Sequence, residues 1–298
     1  MTNLKVNIIA NYSAKVVNVI LSLAFVPIFL SYLGVSAWGL VGFHTSLLAI
    51  FSLLDFGLGI AVNREFASRS IDTESKSYLA TFLRTLEIAY WIITVFVATI
   101  FTLGSHFIAT DWIVDNAFAF NDTRLVIILM GFSIALHFPY GLYSGAILGL
   151  QKQLSLSIIT TLYTIGRTVG SVAILHFISN DIVSFFTWQL ICTILQTTAT
   201  AFLLWKQLSL KAFFTSKPKF AAIEGLWGYS LSVSGITILS IILTQFDKII
   251  LSKIVSLEEF GYYMVAWTLA SGLSHLFTPL NQAVFPKFTQ LIETGSNT

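Results

Sequence analysis

The chain is a succession of apolar runs about as long as a bilayer is thick, and this constrains its fold more than any motif does. A helix needs roughly 20 apolar residues to cross ~30 Å of hydrocarbon. Runs of that kind extend from Asn11 to Leu33, Gly39 to Val62, Tyr78 to Gly104, Arg124 to Leu150, Ser155 to Ser179, Ile182 to Trp205, Leu226 to Leu251 and Gly261 to Phe285. Glycine, proline and charged residues separate them, as expected where helices end. The pattern predicts an all-α polytopic membrane helix bundle with about eight transmembrane helices.

Composition excludes the alternatives. Of 298 residues 56% are hydrophobic and only 10% charged, against roughly 25% charged in ordinary soluble domains. A β-barrel would alternate apolar and polar residues over short strands, whereas these runs are continuous. A net charge of +2, with no dense Lys/Arg block, gives no reason to expect a nucleic-acid partner. The lone Cys192 lies inside an apolar run and reads as a small packing residue. No small-residue cleavage site follows the first run, so the first helix is expected to stay as a signal anchor.

Charges set the orientation. Arg64, Arg69 and Lys76 lie in one loop, Lys152 in another, and Lys206, Lys211, Lys217 and Lys219 in a third; the alternate loops hold Asp111, Asp115, Asp122 and Asp181 without a cation. The positive-inside rule then puts the N-terminus in the cytoplasm. Trp38, Trp112, Trp205 and Trp227 fall at expected membrane interfaces. The basic stretch 206–225 separates six spans from two, which divides the chain into a six-helix lobe (1–205), a cytoplasmic linker (206–225) and a partial second lobe (226–298). A weak internal repeat supports this: Asn11-Tyr12-Ser13 is echoed by Gly228-Tyr229-Ser230, and the turn Leu33 to Leu40 by Ile254 to Tyr262.

Five segments carry a resemblance. NYSAKVVNVILSLAFVPIFLSYLGVSAWGL, LLDFGLGIAVNREFA, YGLYSGAILGLQKQ, FDKIILSKIVSLEEFGYYMVAW and PLNQAVFPKF, in that order, resemble the polysaccharide-biosynthesis flippases of the O-antigen type. These share a superfamily with the multidrug antiporters and the peptidoglycan-precursor flippases. The resemblance implies a MATE-like, V-shaped pair of six-helix lobes that alternates access to a central cavity. It implies a place in the bacterial inner membrane and, as cargo, an undecaprenyl-diphosphate-linked oligosaccharide for O-antigen or capsule, moved from the cytoplasmic to the periplasmic leaflet. Membrane lipid and a polysaccharide polymerase are the further partners it implies. Family members carry more spans than this chain, which is therefore expected to hold the six-helix N-lobe plus the first two helices of a second lobe, as a fragment, a truncated product, or a chain that works with another.

Several polar residues lie within the apolar runs. A cation in mid-membrane costs at least ~2.5 to 3.5 kcal/mol, so Arg167 needs a wet cavity or an acidic partner. It shares a helix face with Thr160, Tyr163, Thr164, Gly170 and Ser171. Two readings stand: it binds the diphosphate implied by the resemblance, or it pairs with Asp55 or Glu87. Lys15, on a polar face with Asn7, Asn11, Asn18 and Ser22, either attracts the same diphosphate or snorkels to headgroups. Arg84 is a third candidate substrate cation, although its three-residue spacing from Glu87 also predicts a self-satisfied pair. Asp55 and Glu87 are the candidates for carrying a coupling proton or sodium ion.

His44, His137 and His176 are spaced for packing or capping rather than for a metal, and no cofactor is expected. Gly141, Gly145 and Gly149, with Gly166 and Gly170, predict close helix packing, of spans four and five on each other in one reading. Pro27, Pro139 and Pro279 predict kinks. Asp247 and Lys248 form a doublet late in span seven. The chain lacks a phosphate-cradling glycine loop, a DxD pair and a nucleophile–base set, so a transporter rather than an enzyme is expected. An ion-coupled drug or cation antiporter and an inactive or accessory membrane protein are the alternatives.

Overall fold

The computed structural model describes residues 19–21, 23–69, 75–113, 117–209, 212–213, 216–219 and 226–272. Helix α1 spans Val26–Phe51 and passes into a 3-10 turn, Ser52–Asp55. After it come α2 (Leu58–Arg69), α3 (Ser75–Phe107, prolonged by a π turn over Ile108–Trp112) and α4 (Phe120–Gly149). Helices α5 (Gln153–Phe177), α6 (Ile182–Leu208) and α7 (Leu226–Ile254) follow, and α8 covers 257–272. There is no strand among the described residues. Five stretches, Val26–Asp55, Lys76–Trp112, Phe120–Gly149, Gln153–Phe177 and Ile182–Leu208, are long and apolar enough to cross a membrane. The protein is a multi-pass membrane helix bundle.

Helix α4 is the central post. It packs on α3, α6 and α2, and α5 packs on α6. Its buried side chains occur all around the helix, among them Val126, Ile127, Met130, Ile134, Leu142 and Ile147, as expected for a helix enclosed by others rather than facing lipid on one side. Pro139 sits inside it, also buried. Helix α6 starts where Asp181 caps it: Ser184 donates its backbone N–H to Asp181 Oδ1 at 2.6 Å, which satisfies one of the free amides of the first turn. Asp181 lies in the loop outside the span, and its carboxyl is held below the usual range. Burial raises it, but hydrogen bonds from Ser179 and Ser184 prevail.

The expected turn from Gly34 to Trp38 contracts to a single residue. Only Gly34 leaves the helical region (φ 80, ψ 172), a conformation open to glycine at little cost. The path reverses there. Leu23 lies against Gly272 and Gly39 against Leu257, so the segments on either side of Gly34 run in opposite directions along α8. The two turns of the internal repeat face each other: a Cβ on Gly39 would stand 2.6 Å from Leu257 O, and one on Gly261 2.2 Å from Val35 O. One main chain thus touches the other through a glycine on each side.

Three expectations are corrected. Span two is not continuous from Gly39 to Val62. It breaks after the 3-10 turn, at Phe56 (φ 46) and Gly57 (φ 73), because Asp55 turns its carboxylate onto the start of the next helix, where Gly59 N donates to Oδ2 at 3.1 Å. Second, the glycines of α4 do not face α5. Gly145 lies against Gly59 O (2.7 Å from an added Cβ) and Gly149 against Asn63 O (2.5 Å), both on α2, while Gly170 of α5 makes room for the Trp188 ring of α6. Third, Trp205 is not an interfacial anchor but is buried, 3% exposed, where its indole N–H donates to Glu87 Oε1 at 2.8 Å.

Candidate functional site

Two cavities lie among the helices. The first, of about 310 Å³, lies between α1, α5 and α6 on one side and α8 on the other: Trp38, Arg167 and Gln189 line the former, Met264 and Thr268 the latter. Arg167 is oriented by a closed ring of hydrogen bonds. Its Nε donates to Gln189 Oε1, Gln189 Nε2 donates to Ser171 Oγ at 3.0 Å, and Ser171 Oγ donates back to Arg167 O at 2.6 Å. The ring is buildable because Ser171 is one helical turn beyond Arg167 and Gln189 lies on the face of α6 turned to α5. Trp188 Nε1 donates to Gly166 O at 3.0 Å and fixes the two helices in register. An aromatic wall completes the cavity: Phe29 is stacked with Trp38 (centroids 6.3 Å) and meets Phe185 edge-on (5.4 Å).

The second cavity, of about 260 Å³, opens at the break in span two. Ser52, Asp55, Phe56 and His137 line it, with Ile238 contributed by α7. Both oxygens of Asp55 are engaged, Oδ1 by the Tyr90 hydroxyl at 2.5 Å and Oδ2 by Gly59 N. Tyr90 is fully buried, so this carboxylate is tied to α3 while it also borders the cavity. A broken membrane helix with a carboxylate at the break is the kind of place where transporters hold ions or polar cargo.

The model of the family described as polysaccharide biosynthesis protein matches residues 4–292. The chain belongs to that family. Comparison with curated proteins and with solved structures returned no match.

In this polysaccharide biosynthesis protein the sequence candidates are not gathered into one site. Arg167 pairs with neither Asp55 nor Glu87, as one reading had it; its hydrogen-bond partner is the neutral Gln189, and among the described residues no carboxylate bridges to it. Glu87 is 3% exposed and accepts from Arg84 Nη1 (2.8 Å), Tyr143 Oη (3.0 Å) and Trp205 Nε1. The predicted Arg84–Glu87 pair is therefore present as part of a junction of α3, α4 and α6. Neither residue lines the cavity that holds Arg167. Lys15 lies outside the described residues.

Of the histidines, His44 is buried edge-on to Phe186 (5.8 Å), and His176 Nδ1 meets the Tyr32 hydroxyl at 2.9 Å. Lys248 is buried, 1% exposed, over the Trp267 ring at 3.4 Å and beside Asp247. Gln189, Tyr90 and Tyr143 were not singled out in the sequence. A signal for Gln189 was there: Gln189, Thr193, Gln196, Thr197 and Thr200 recur at helical spacing in an apolar run, and all five are buried.

Proposed function

We propose that this protein carries a polyprenyl-diphosphate-linked oligosaccharide, of the O-antigen or capsule type, across the bacterial inner membrane by alternating access, with its N-terminus in the cytoplasm and no covalent change to the cargo. Arg167 is the observation that carries the reading. A guanidinium in mid-membrane is costly, yet this one has a glutamine to orient it and, among the described residues, no carboxylate to neutralise it. Most of its donors are left for a ligand, and a planar fork suits a diphosphate. The cavity has room for a charged headgroup, and its aromatic wall offers flat apolar surface to the adjoining sugar. Met264 and Thr268 come from α8, so relative motion of the two lobes would open and close it.

Asp55 is the candidate coupling group in this reading. It borders a cavity at a helix break, and a proton or sodium ion arriving there would compete with the Tyr90 and Gly59 hydrogen bonds.

Complementation of a flippase-deficient strain tests the proposal. Arg167→Ala abolishes it at unchanged membrane expression and Arg167→Lys impairs it, because an ammonium cannot keep both the Gln189 bond and a forked contact. Full activity of the alanine variant would overturn the role. Asp55→Asn removes the dependence of transport on the ion gradient, and an unchanged dependence would refute the coupling role. A periplasmic reporter is active when fused at Asp115 and silent at Lys211.

A further inference from the structure

A groove of about 460 Å³ runs along the outer face of α3, away from both cavities, lined by Arg84, Glu87, Ile88, Trp91, Ile92 and Val95. The four apolar side chains are well exposed, Ile92 and Val95 by more than 60%. Arg84 closes one end. We propose that this groove is a binding site for one anionic phospholipid, its phosphate on Arg84 and one acyl chain lying along Ile88, Trp91, Ile92 and Val95. The inference does not depend on the transport reading.

Depth supports it. The continuous stretch Lys76–Trp112 is ~55 Å long at 1.5 Å per residue, whereas the hydrocarbon core is ~30 Å thick. With the excess shared between its ends, ~12 Å projects on each side, and Arg84 stands ~12 Å from Lys76. The guanidinium is thereby at the boundary of headgroup and hydrocarbon. From Arg84 to Val95 the groove extends ~16 Å, close to the ~15 Å depth of one leaflet. That fits a single acyl chain and is too short for a long polyprenyl tail.

Charge supports it as well. Arg84 gives one donor to Glu87, whose other oxygen is held by Tyr143 and Trp205, and its guanidinium lies over the Phe213 ring at 4.9 Å. The side chain is 36% exposed, and a guanidinium has five N–H donors, more than the one that Glu87 takes. Lys219 stands at the same end of α3, where its N donates to Thr85 Oγ1 at 2.9 Å. The sequence 206–219 carries Lys206, Lys211, Lys217 and Lys219 and no carboxylate, and the lysines at 206, 217 and 219 are exposed. An anionic headgroup at Arg84 would meet this rim, whereas a zwitterionic one would bring a cation against it.

Native mass spectrometry of the purified chain, released from nanodiscs holding equal phosphatidylglycerol and phosphatidylcholine, tests the site. The expected result is one retained phosphatidylglycerol per chain, favoured at least tenfold over phosphatidylcholine. Arg84→Gln reduces the preference to near parity. Val95→Trp, which fills the groove and leaves the Arg84–Glu87 pair intact, lowers retention of phosphatidylglycerol about tenfold in a chain whose helical circular dichroism is unchanged. Equal retention of the two lipids by the wild-type chain, retention unaffected by Val95→Trp, or displacement by an equimolar polyprenyl diphosphate would each overturn the assignment.

Discussion

Tyr90 donates its phenolic hydrogen to Asp55 over 2.5 Å, and this one bond ties the break in span two to the middle of α3. Tyr90 has no exposed surface, so water cannot replace the bond when it is lost. Tyr90→Phe is expected to cost about 1.5 to 3 kcal/mol, the range for a hydrogen bond to a charged group. A Tyr90→Phe, Asp55→Ala cycle in detergent-solubilised protein, followed by thermal unfolding, is expected to be non-additive, since each single change removes the same contact.

Glu87 binds three donors at the junction of α3, α4 and α6. Glu87→Ala leaves Arg84, Tyr143 and Trp205 without their acceptor and is expected to destabilise by about 3 kcal/mol or more. Glu87→Gln keeps one carbonyl oxygen and costs less. Denaturant unfolding followed by helical circular dichroism reads both.

The glycines of α4 make different predictions although they lie on one face. A Cβ at Gly145 would stand 2.7 Å from Gly59 O, whereas one at Gly141 meets nothing within 4 Å. Gly145→Ala is expected to cost about 1 to 3 kcal/mol through overpacking. Gly141→Ala is expected to be neutral, or to gain up to about 1 kcal/mol of helix propensity. Thermal unfolding of the pair distinguishes a packing requirement from a general loss of glycine flexibility.

The contact between the two repeat turns can be opened deliberately. In a Cys192→Ser background, Val35→Cys is expected to react slowly with a membrane-impermeant maleimide. Adding Gly261→Ala, whose Cβ would lie 2.2 Å from Val35 O, is expected to speed labelling about tenfold as the turns part. Unchanged labelling would mean that the turns are separated in the membrane.

Asp181 supplies a pH-dependent term. Its folded carboxyl is below the ordinary range, so the cap stabilises α6 above the unfolded value of ~3.9. That contribution is lost as the pH falls through the lower folded value. Asp181→Ala is expected to cost about 1 kcal/mol at neutral pH, Asp181→Asn only a fraction of that, and the difference between wild type and alanine is expected to shrink below pH ~4.

Hydropathy located the long helices closely: Arg124 to Leu150 became Phe120–Gly149, and Ile182 to Trp205 became Ile182–Leu208. Apolar length is a direct readout of membrane thickness, so this part of the fold was legible. The break at Asp55–Phe56–Gly57 was not, although aspartate and glycine are turn residues. The apolar run around them is long enough to hide two half-helices, and what supports the break besides the local Asp55–Gly59 hydrogen bond is tertiary, the Tyr90 hydroxyl and the close fit of Gly59 to Gly145. Arg167 was visible as an expensive charge, but its partner lay in another helix as a neutral glutamine, which a search for opposite charges passes over. Glu87 was half legible: Arg84, three residues away, could be read locally, whereas Tyr143 and Trp205 could not.

The broken span is also divided in its allegiance. Above the break, Gly39 and Gly42 fit against Leu257 and Met264 of α8; below it, Gly59 and Asn63 fit against Gly145 and Gly149 of α4. Span two is therefore less a strut than a two-link arm, each link keyed to a different body, with Phe56 and Gly57 as the joint. Tilting α8 would carry the upper link along while the lower one stays with the central post. Tyr90, gripping Asp55 just above the joint, is placed to act as its friction pin.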